Sequence, residues 1–234
     1  ENFFPSIWRE KSDTLLDHLP NLRTADPSHS AVELLHDVLA SSREKVTLLA
    51  LGPLTNIAEL FRLYPELIAK IEKLFVMGGA VDVPGNLKVI EGNHVAEWNI
   101  FADPTAAEEV FRAGLPLYLI ALDGTDQTPL TLEYYEYVQR NRNTPIAHLF
   151  YHLLTCIKER GTMHRFYFWD LQAAEVLLDP SLAHFEPRTI RVITEAGPGC
   201  GRTMACDTGY PIQLATKIDG QKALQIYFDT INGQ

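Results

Sequence analysis

Apolar positions along this chain recur in two alternating rhythms. Between Ala31 and Ala40, Val32, Leu34, Leu35, Val38 and Leu39 fall on one helical face. The apolar run Val46 to Leu51 follows and stops at Gly52-Pro53, and a run of that length between turn residues predicts a buried parallel strand. Leu54 to Leu63 reads as a helix ended by Tyr64-Pro65, and Leu74 to Met77 as a second buried strand stopped by Gly78-Gly79. Asp103 is placed to cap a helix with Pro104 at its first position, running through Ala106, Ala107, Val110 and Phe111 to Gly114. Pro116 to Leu122 predicts a third strand. Amphipathic helices are expected over Leu130 to Arg140, Pro145 to Arg160 and Asp170 to Leu178, and strands near Thr189 to Thr194 and Ala223 to Phe228. Residues 1–30, with Pro5, Pro20 and Pro27, read as irregular.

Strand, turn, helix, strand in this order predicts an α/β fold: a mainly parallel central sheet of Rossmann type with helices on both faces. No repeat or linker divides residues 1–234, so one domain is the expectation. Ligands in such folds bind beyond the carboxyl ends of the strands. The loops after Leu51, Met77, Leu122 and Phe168 are therefore where chemistry is to be sought.

Composition narrows the partners. Thirty acidic against twenty basic residues give a formal charge of -10, which repels phosphate backbones and argues against nucleic acid. A small neutral ligand or a cation remains compatible. No apolar run approaches the roughly 18 residues that span a membrane. Cys156, Cys200 and Cys206 make no disulfide framework and no metal spacing, and read as reduced thiols of a cytoplasmic protein. The chain begins with Glu1, and Glu1 to Pro5 is no signal peptide.

Two stretches carry candidate chemistry. Gly85-Asn86 through Glu97-Trp98-Asn99 sets amides and a carboxylate after a buried strand, a mixture that both donates to and accepts from hydroxyl groups. The alternative is a polar loop whose asparagines serve turns; Asp103 reads first as a helix cap. Phe168-Trp169-Asp170 places an aromatic ring beside a carboxylate at the start of a helix, suited to base stacking and metal binding, or else to core packing and capping. Phosphate-binding glycine fingerprints, a GxSxG elbow and HExxH are all absent. His148 and His152, four apart on a helix without an acidic partner, read as surface or packing residues.

Together these pieces resemble the inosine-uridine preferring nucleoside hydrolase family. The similar stretches are Ala50-Leu-Gly-Pro-Leu-Thr-Asn-Ile-Ala58, Val76-Met-Gly-Gly-Ala80, Ala96-Glu-Trp-Asn-Ile-Phe-Ala-Asp-Pro-Thr-Ala-Ala107, Leu122-Asp123, and Trp169-Asp170 with Leu178-Asp-Pro-Ser-Leu182. The resemblance implies hydrolysis of the N-glycosidic bond of a ribonucleoside around one bound calcium ion (Ca2+). By similarity, Asp170 is a calcium ligand that also touches a ribose hydroxyl, and Leu51 offers its carbonyl to the ion. Asn86, Glu97 and Asn99 match residues that grip the ribose, with Met77 lining the sugar pocket. The long step from Asn86 to Glu97 makes Asn93 a rival for the first amide position. Homo-oligomers, dimers or tetramers, are the family's habit, and cytoplasmic purine salvage is the implied setting.

The sequence departs from the family in two places. Where many relatives carry His before the metal-binding Asp, this chain has Trp169, which resembles the purine-preferring branch, whose aromatic rings stack on the base. The family's N-terminal DxDxxxDD cluster, source of further calcium ligands and the general base, is missing: Asp13, Asp17 and Asp26 have the wrong spacing. One carboxylate and one carbonyl cannot fill a calcium sphere of six to eight oxygens, and a sheet without its first strands would expose an apolar edge. A companion N-terminal segment in the working protein is the expectation. The alternatives are a catalytically inactive nucleoside or ribose binder, and a hydrolase of broad or pyrimidine specificity.

Overall fold

Caps and chain stops set most element boundaries in the structure, a computed structural model in which residues 29–87 and 91–234 are described. Helix α1 (Ala31–Ser41) starts with a reciprocal capping box. The Ser30 hydroxyl accepts from the Glu33 N–H, and the Glu33 carboxylate accepts from the Ser30 N–H. Strand β1 (Val46–Ala50), helix α2 (Thr55–Leu63), strand β2 (Ile71–Met77), the short helix α3 (Trp98–Ala102) and helix α4 (Pro104–Arg112) follow. Then come strand β3 (Leu117–Ile120), the one-turn α5 (Leu122–Thr125), and helices α6 (Leu132–Asn141), α7 (Pro145–Glu159) and α8 (Trp169–Leu178). Strands β4 (Ala183–Val192), β5 (Thr203–Ala205) and β6 (Tyr210–Ile218) precede the last helix, α9 (Gly220–Ile231). The irregular leader expected over residues 1–30, including Asp13, Asp17 and Asp26, lies outside the described residues except for its last two positions.

The described chain forms two compact units. The first comprises residues 29–124 and 183–217. Its sheet runs in the order β1-β2-β3-β6-β4-β5, with β1/β2, β2/β3 and β3/β6 parallel and β4/β5 antiparallel, so the mainly parallel α/β architecture is present. One sheet face packs Leu74, Val76, Leu119 and Leu214 against Leu39, Leu60, Ala107 and Val110 of the helices. On the other face Phe75 stacks on Tyr118 at 4.8 Å, and Phe185 meets Tyr118 edge-on at 5.2 Å. Burial on both faces explains why β2 and β3 read as continuous apolar runs.

In the second unit, residues 125–182 and 218–234, helices α6 to α9 enclose Leu130, Val138, Leu154, Phe168, Leu224 and Phe228. Gly220 opens α9 where any Cβ would overlap the Thr128 side chain, so glycine is required there by close approach.

Two sequence expectations need correction, and one strand that the sequence did not suggest is added. Ala223 to Phe228 is helical, inside α9: Asp219 caps the helix through the Lys222 N–H, and the buried positions Gly220, Ala223, Leu224 and Phe228 follow a helical repeat. A short apolar run cannot reveal its own period. The strand of this region is β6, whose buried Ile212, Leu214 and Ile218 follow an exposed Pro211. Finally, β1 is only partly covered along Val46, Leu48 and Leu49, because among the described residues it pairs with β2 alone.

Candidate functional site

In the first unit, the predicted residues gather where β1 and β2 end and α3 begins. A helix start leaves N–H groups without internal partners. Glu97, 2% exposed, meets that need at α3. Its carboxylate accepts from the Asn99 N–H at 2.9 Å, the Ile100 N–H at 3.1 Å and, from the turn after β2, the Gly79 N–H at 3.0 Å. Gly79 has a φ of 83°, a conformation that favours glycine. One residue on from Trp98, the Asn99 amide Nδ2 donates to the Met77 carbonyl at 3.1 Å and reaches the Leu51 carbonyl at 3.5 Å; Met77 Sδ also lies 3.5 Å away. Leu51, Met77, Glu97 and Asn99 are thus one cluster. The turn after β2 is pinned from two further sides. The Asp123 carboxylate accepts from the Val81 and Asp82 N–H groups at 2.9 and 2.8 Å, and buried Thr203 both accepts from the Ala80 N–H and donates to its carbonyl.

The two rival asparagines have different surroundings. Asn93 is 1% exposed; its Nδ2 donates to the Cys200 carbonyl at 2.8 Å, and its Oδ1 accepts from the Val95 and Ala96 N–H groups. Its amide is a strut of the turn. Asn86 is only half-buried. Its Oδ1 accepts from the Trp98 N–H at 2.9 Å, which brings it to the first turn of α3, and its Nδ2 has no partner among the described residues. Asn99 Oδ1 likewise has none there. Asp103 is a structural cap, accepting from the Ala106 N–H and the Thr55 hydroxyl.

In the second unit the start of α8 is built differently. No side chain caps it; Asp170 stands in its first turn, an exposed residue whose carboxyl still lies among enough protein atoms for burial to raise its pKa above the usual carboxylate value. Half-buried Trp169 donates its indole N–H to Asp126 Oδ1 at 2.8 Å, with Phe166 and Tyr167 rings 5.6 and 5.7 Å away. Gln172, fully buried, donates from Nε2 to the carbonyls of Thr125 and Phe168, and its Oε1 has no partner among the described residues. One turn on, Glu175 is 6% exposed and burial raises its pKa. Asp126, Gln172, Glu175 and Thr203 escape sequence reasoning. Polar residues three apart on the apolar face of a predicted helix, Gln172 and Glu175, were the one available signal.

A calcium ion needs six to eight oxygens. Among the described residues no group of three His, Cys, Asp or Glu side chains could hold a metal, so these residues do not by themselves fit the ion. His148 accepts from Arg142 and His152 lies 3.7 Å from Cys156, as helix-surface and packing residues do. Cys156, Cys200 and Cys206 form no disulfide. Among the described residues no helix is long and apolar enough to cross a membrane.

Comparison with known proteins gives this geometry a context. Residues 9–225 match the family model described as inosine-uridine preferring nucleoside hydrolase. The pyrimidine-specific ribonucleoside hydrolase RihA of Klebsiella pneumoniae is 40% identical over 134 residues, 56% of this chain and 41% of that protein. The chain thus spans less than half the length of that relative. The crystal structure of the inosine-uridine preferring nucleoside hydrolase from Bacillus anthracis is 30% identical with a TM-score of 0.86, over 99% of this chain and 76% of that one. A purine-preferring ribonucleoside hydrolase from Gardnerella vaginalis is 29% identical with a TM-score of 0.78, over 92% of this chain and 69% of that one.

Proposed function

Because the chain belongs to the inosine-uridine preferring nucleoside hydrolase family, we propose that the protein hydrolyses the N-glycosidic bond of ribonucleosides to ribose and free base. The observation that carries this reading is the pair of open amide groups at the first turn of α3. Asn86 Nδ2 is a donor and Asn99 Oδ1 an acceptor without partners among the described residues, and a ribose hydroxyl needs one of each. Glu97 serves the sugar side by holding the backbone that presents Asn99, and Met77, whose carbonyl accepts from the Asn99 amide, completes it. Asn93 is left out, since its amide is already engaged at both ends.

In the reaction, water oxygen bonds to C1′ as the C1′–N bond breaks and the electron pair leaves with the base; the water gives up one proton, the base nitrogen takes one up, and positive charge gathers on the sugar in between. Trp169 is the proposed base-stacking residue, and its large ring favours purines over pyrimidines. The names of similar proteins point both ways on the base: RihA is pyrimidine-specific and the Gardnerella protein purine-preferring. Asp170 and the Leu51 carbonyl are the calcium ligands proposed from these residues. Further ligands are required to fill the sphere of six to eight oxygens. A family match that runs through both units supports treating them as one catalytic domain. A dimeric or tetrameric assembly and cytoplasmic nucleoside salvage belong to the same proposal.

Reducing-sugar release from inosine and from uridine, with calcium and then with excess EDTA, tests it. Calcium-dependent release that favours inosine is the expected result; equal or faster release from uridine overturns the purine preference. The second reading, an inactive nucleoside binder, draws on the lack of a metal-holding cluster among the described residues. It predicts no release but a higher melting temperature with inosine, since a ligand of the folded state stabilises it by mass action.

A further inference from the structure

The indole of Trp169 is held in a frame with three ties, all within the second unit. Residues 125–130 run beside residues 166–169. At one end Gln172 Nε2 joins the Thr125 and Phe168 carbonyls, at 3.1 and 3.2 Å. At the other, the Leu130 N–H donates to the Phe166 carbonyl at 2.9 Å, beside a bridge between Pro129 and Tyr167. Between them the indole N–H donates to Asp126 Oδ1 at 2.8 Å. Gln172 keeps both ties although its own buried Oε1 has no partner among the described residues, an arrangement that costs free energy. Leucine or methionine would fill the same volume without that cost and would make neither tie.

We propose that Asp126 is a positioning residue that determines how Trp169 reads a nucleoside base. This deepens the reading above and rests on it. An indole has one hydrogen-bond donor and no acceptor. With that donor given to a carboxylate, Trp169 offers a base its π face and its edge carbons only. Stacking senses ring area and is indifferent to the groups on the ring's edge. Through this residue the site therefore separates purines from pyrimidines and does not separate inosine, adenosine and guanosine from one another. Removing the carboxylate frees both the ring's tilt and its N–H, which can then donate to an acceptor on the base.

The chain has three tryptophans, Trp8, Trp98 and Trp169, so a nitrogen-15 spectrum holds three indole N–H signals. Trp169→Phe identifies the relevant one. The expected signal lies downfield, exchanges slowly with water, moves upfield and exchanges faster in Asp126→Ala, and returns most of the way in Asp126→Asn, whose amide oxygen can still accept. In turnover assays, Asp126→Ala is expected to lose roughly 5- to 10-fold in kcat/KM for inosine, mainly through KM. It should change uridine less and spread the three purines apart, while Asp126→Asn stays within about threefold of the parent. An indole signal unmoved in Asp126→Ala, or no rescue by Asp126→Asn, overturns the proposal; so does an equal loss on inosine and uridine. If Asp126→Ala does not fold, Asp126→Asn against the parent decides by the position of the same signal. In a sample that turns over no nucleoside, the spectrum still decides whether Asp126 holds the ring, and the missing turnover counts against the hydrolase reading alone.

Discussion

The beginnings of α3 and α8 pose the same physical problem and solve it in opposite ways. At α3 the acid comes one residue before the helix, is almost wholly buried, and spends its charge on the N–H groups of Gly79, Asn99 and Ile100. At α8 the acid stands inside the first turn, reaches solvent, and makes no capping bond. The pKa of Asp170 is raised by burial, which nothing nearby offsets. A carboxylate buried among donors builds structure; Asp170 makes no capping bond at its helix, and its assignment to the site is the proposal that the variants below test. Two positions relative to the helix start, the cap against the second helical residue, separate the two acids.

The largest expected effect follows from breaking the first of these. Glu97→Ala would strand three N–H groups, two of them on buried residues or in a tight turn, and should lower unfolding free energy by roughly 3–5 kcal/mol. Urea titration measures it. Glu97→Gln, which keeps an acceptor, should recover part of the loss, and a Glu97→Ala protein as stable as the parent would show that the carboxylate is no brace. Next comes Asp170→Asn. Its folding should be intact, while nucleoside hydrolysis falls on the order of 100-fold or more, as the proposed metal-ligand role implies. Isothermal calcium titration alongside rate measurement separates loss of metal from misfolding, and unchanged turnover ends its assignment to the site.

The asparagine pair sharpens the contrast inside the first unit. Asn93→Ala removes a buried amide with three bonds and should cost about 1–3 kcal/mol of stability with KM little changed in the folded fraction. Asn86→Ala should do the reverse, raising KM for inosine roughly tenfold with a smaller loss in melting temperature, since its Nδ2 serves nothing in the described fold. Thermal melts and steady-state kinetics on both variants suffice. A KM effect at Asn93 and none at Asn86 would exchange their roles.

Much of this was legible in the sequence. Runs such as Leu74 to Met77 declared buried parallel strands, because a strand covered on both faces has no polar side to alternate with. Asp103-Pro104 declared a helix start, because the cap and the fixed φ of proline act locally. The structure brings Asn86, Glu97 and Asn99, which the motifs single out, to the first turn of α3. What local pattern could not show was allegiance. Ala223 to Phe228 is apolar enough for either a strand or a helix, and the cap at Asp219 decides it. Asn93 and Asn86 are chemically identical until Cys200, over a hundred residues away, engages one of them. The Asp126–Trp169 bond likewise joins positions 43 residues apart, a distance no local spacing rule reaches.

The smallest expected effect concerns the buried face of α8, where Glu175 is 6% exposed beside Tyr227. Burial raises the Glu175 pKa above the ordinary value of 4.5, and the phenol of Tyr227 is raised too, first by burial and then by the Glu175 charge. Below about pH 4.5 the carboxyl is protonated in both folded and unfolded chains and favours neither. As pH rises through the window above 4.5, the unfolded chain releases its proton first, so the folded state binds more protons and stability falls with pH. Glu175→Gln removes that proton linkage and keeps the shape. The variant should match the parent near pH 4 and melt roughly 1–3 °C higher near pH 7. A scan of melting temperature against pH checks it. A constant offset at every pH would mean that the glutamine merely packs differently, and a lower melting temperature at neutral pH would mean that the ionised carboxylate has a stabilising partner in solution.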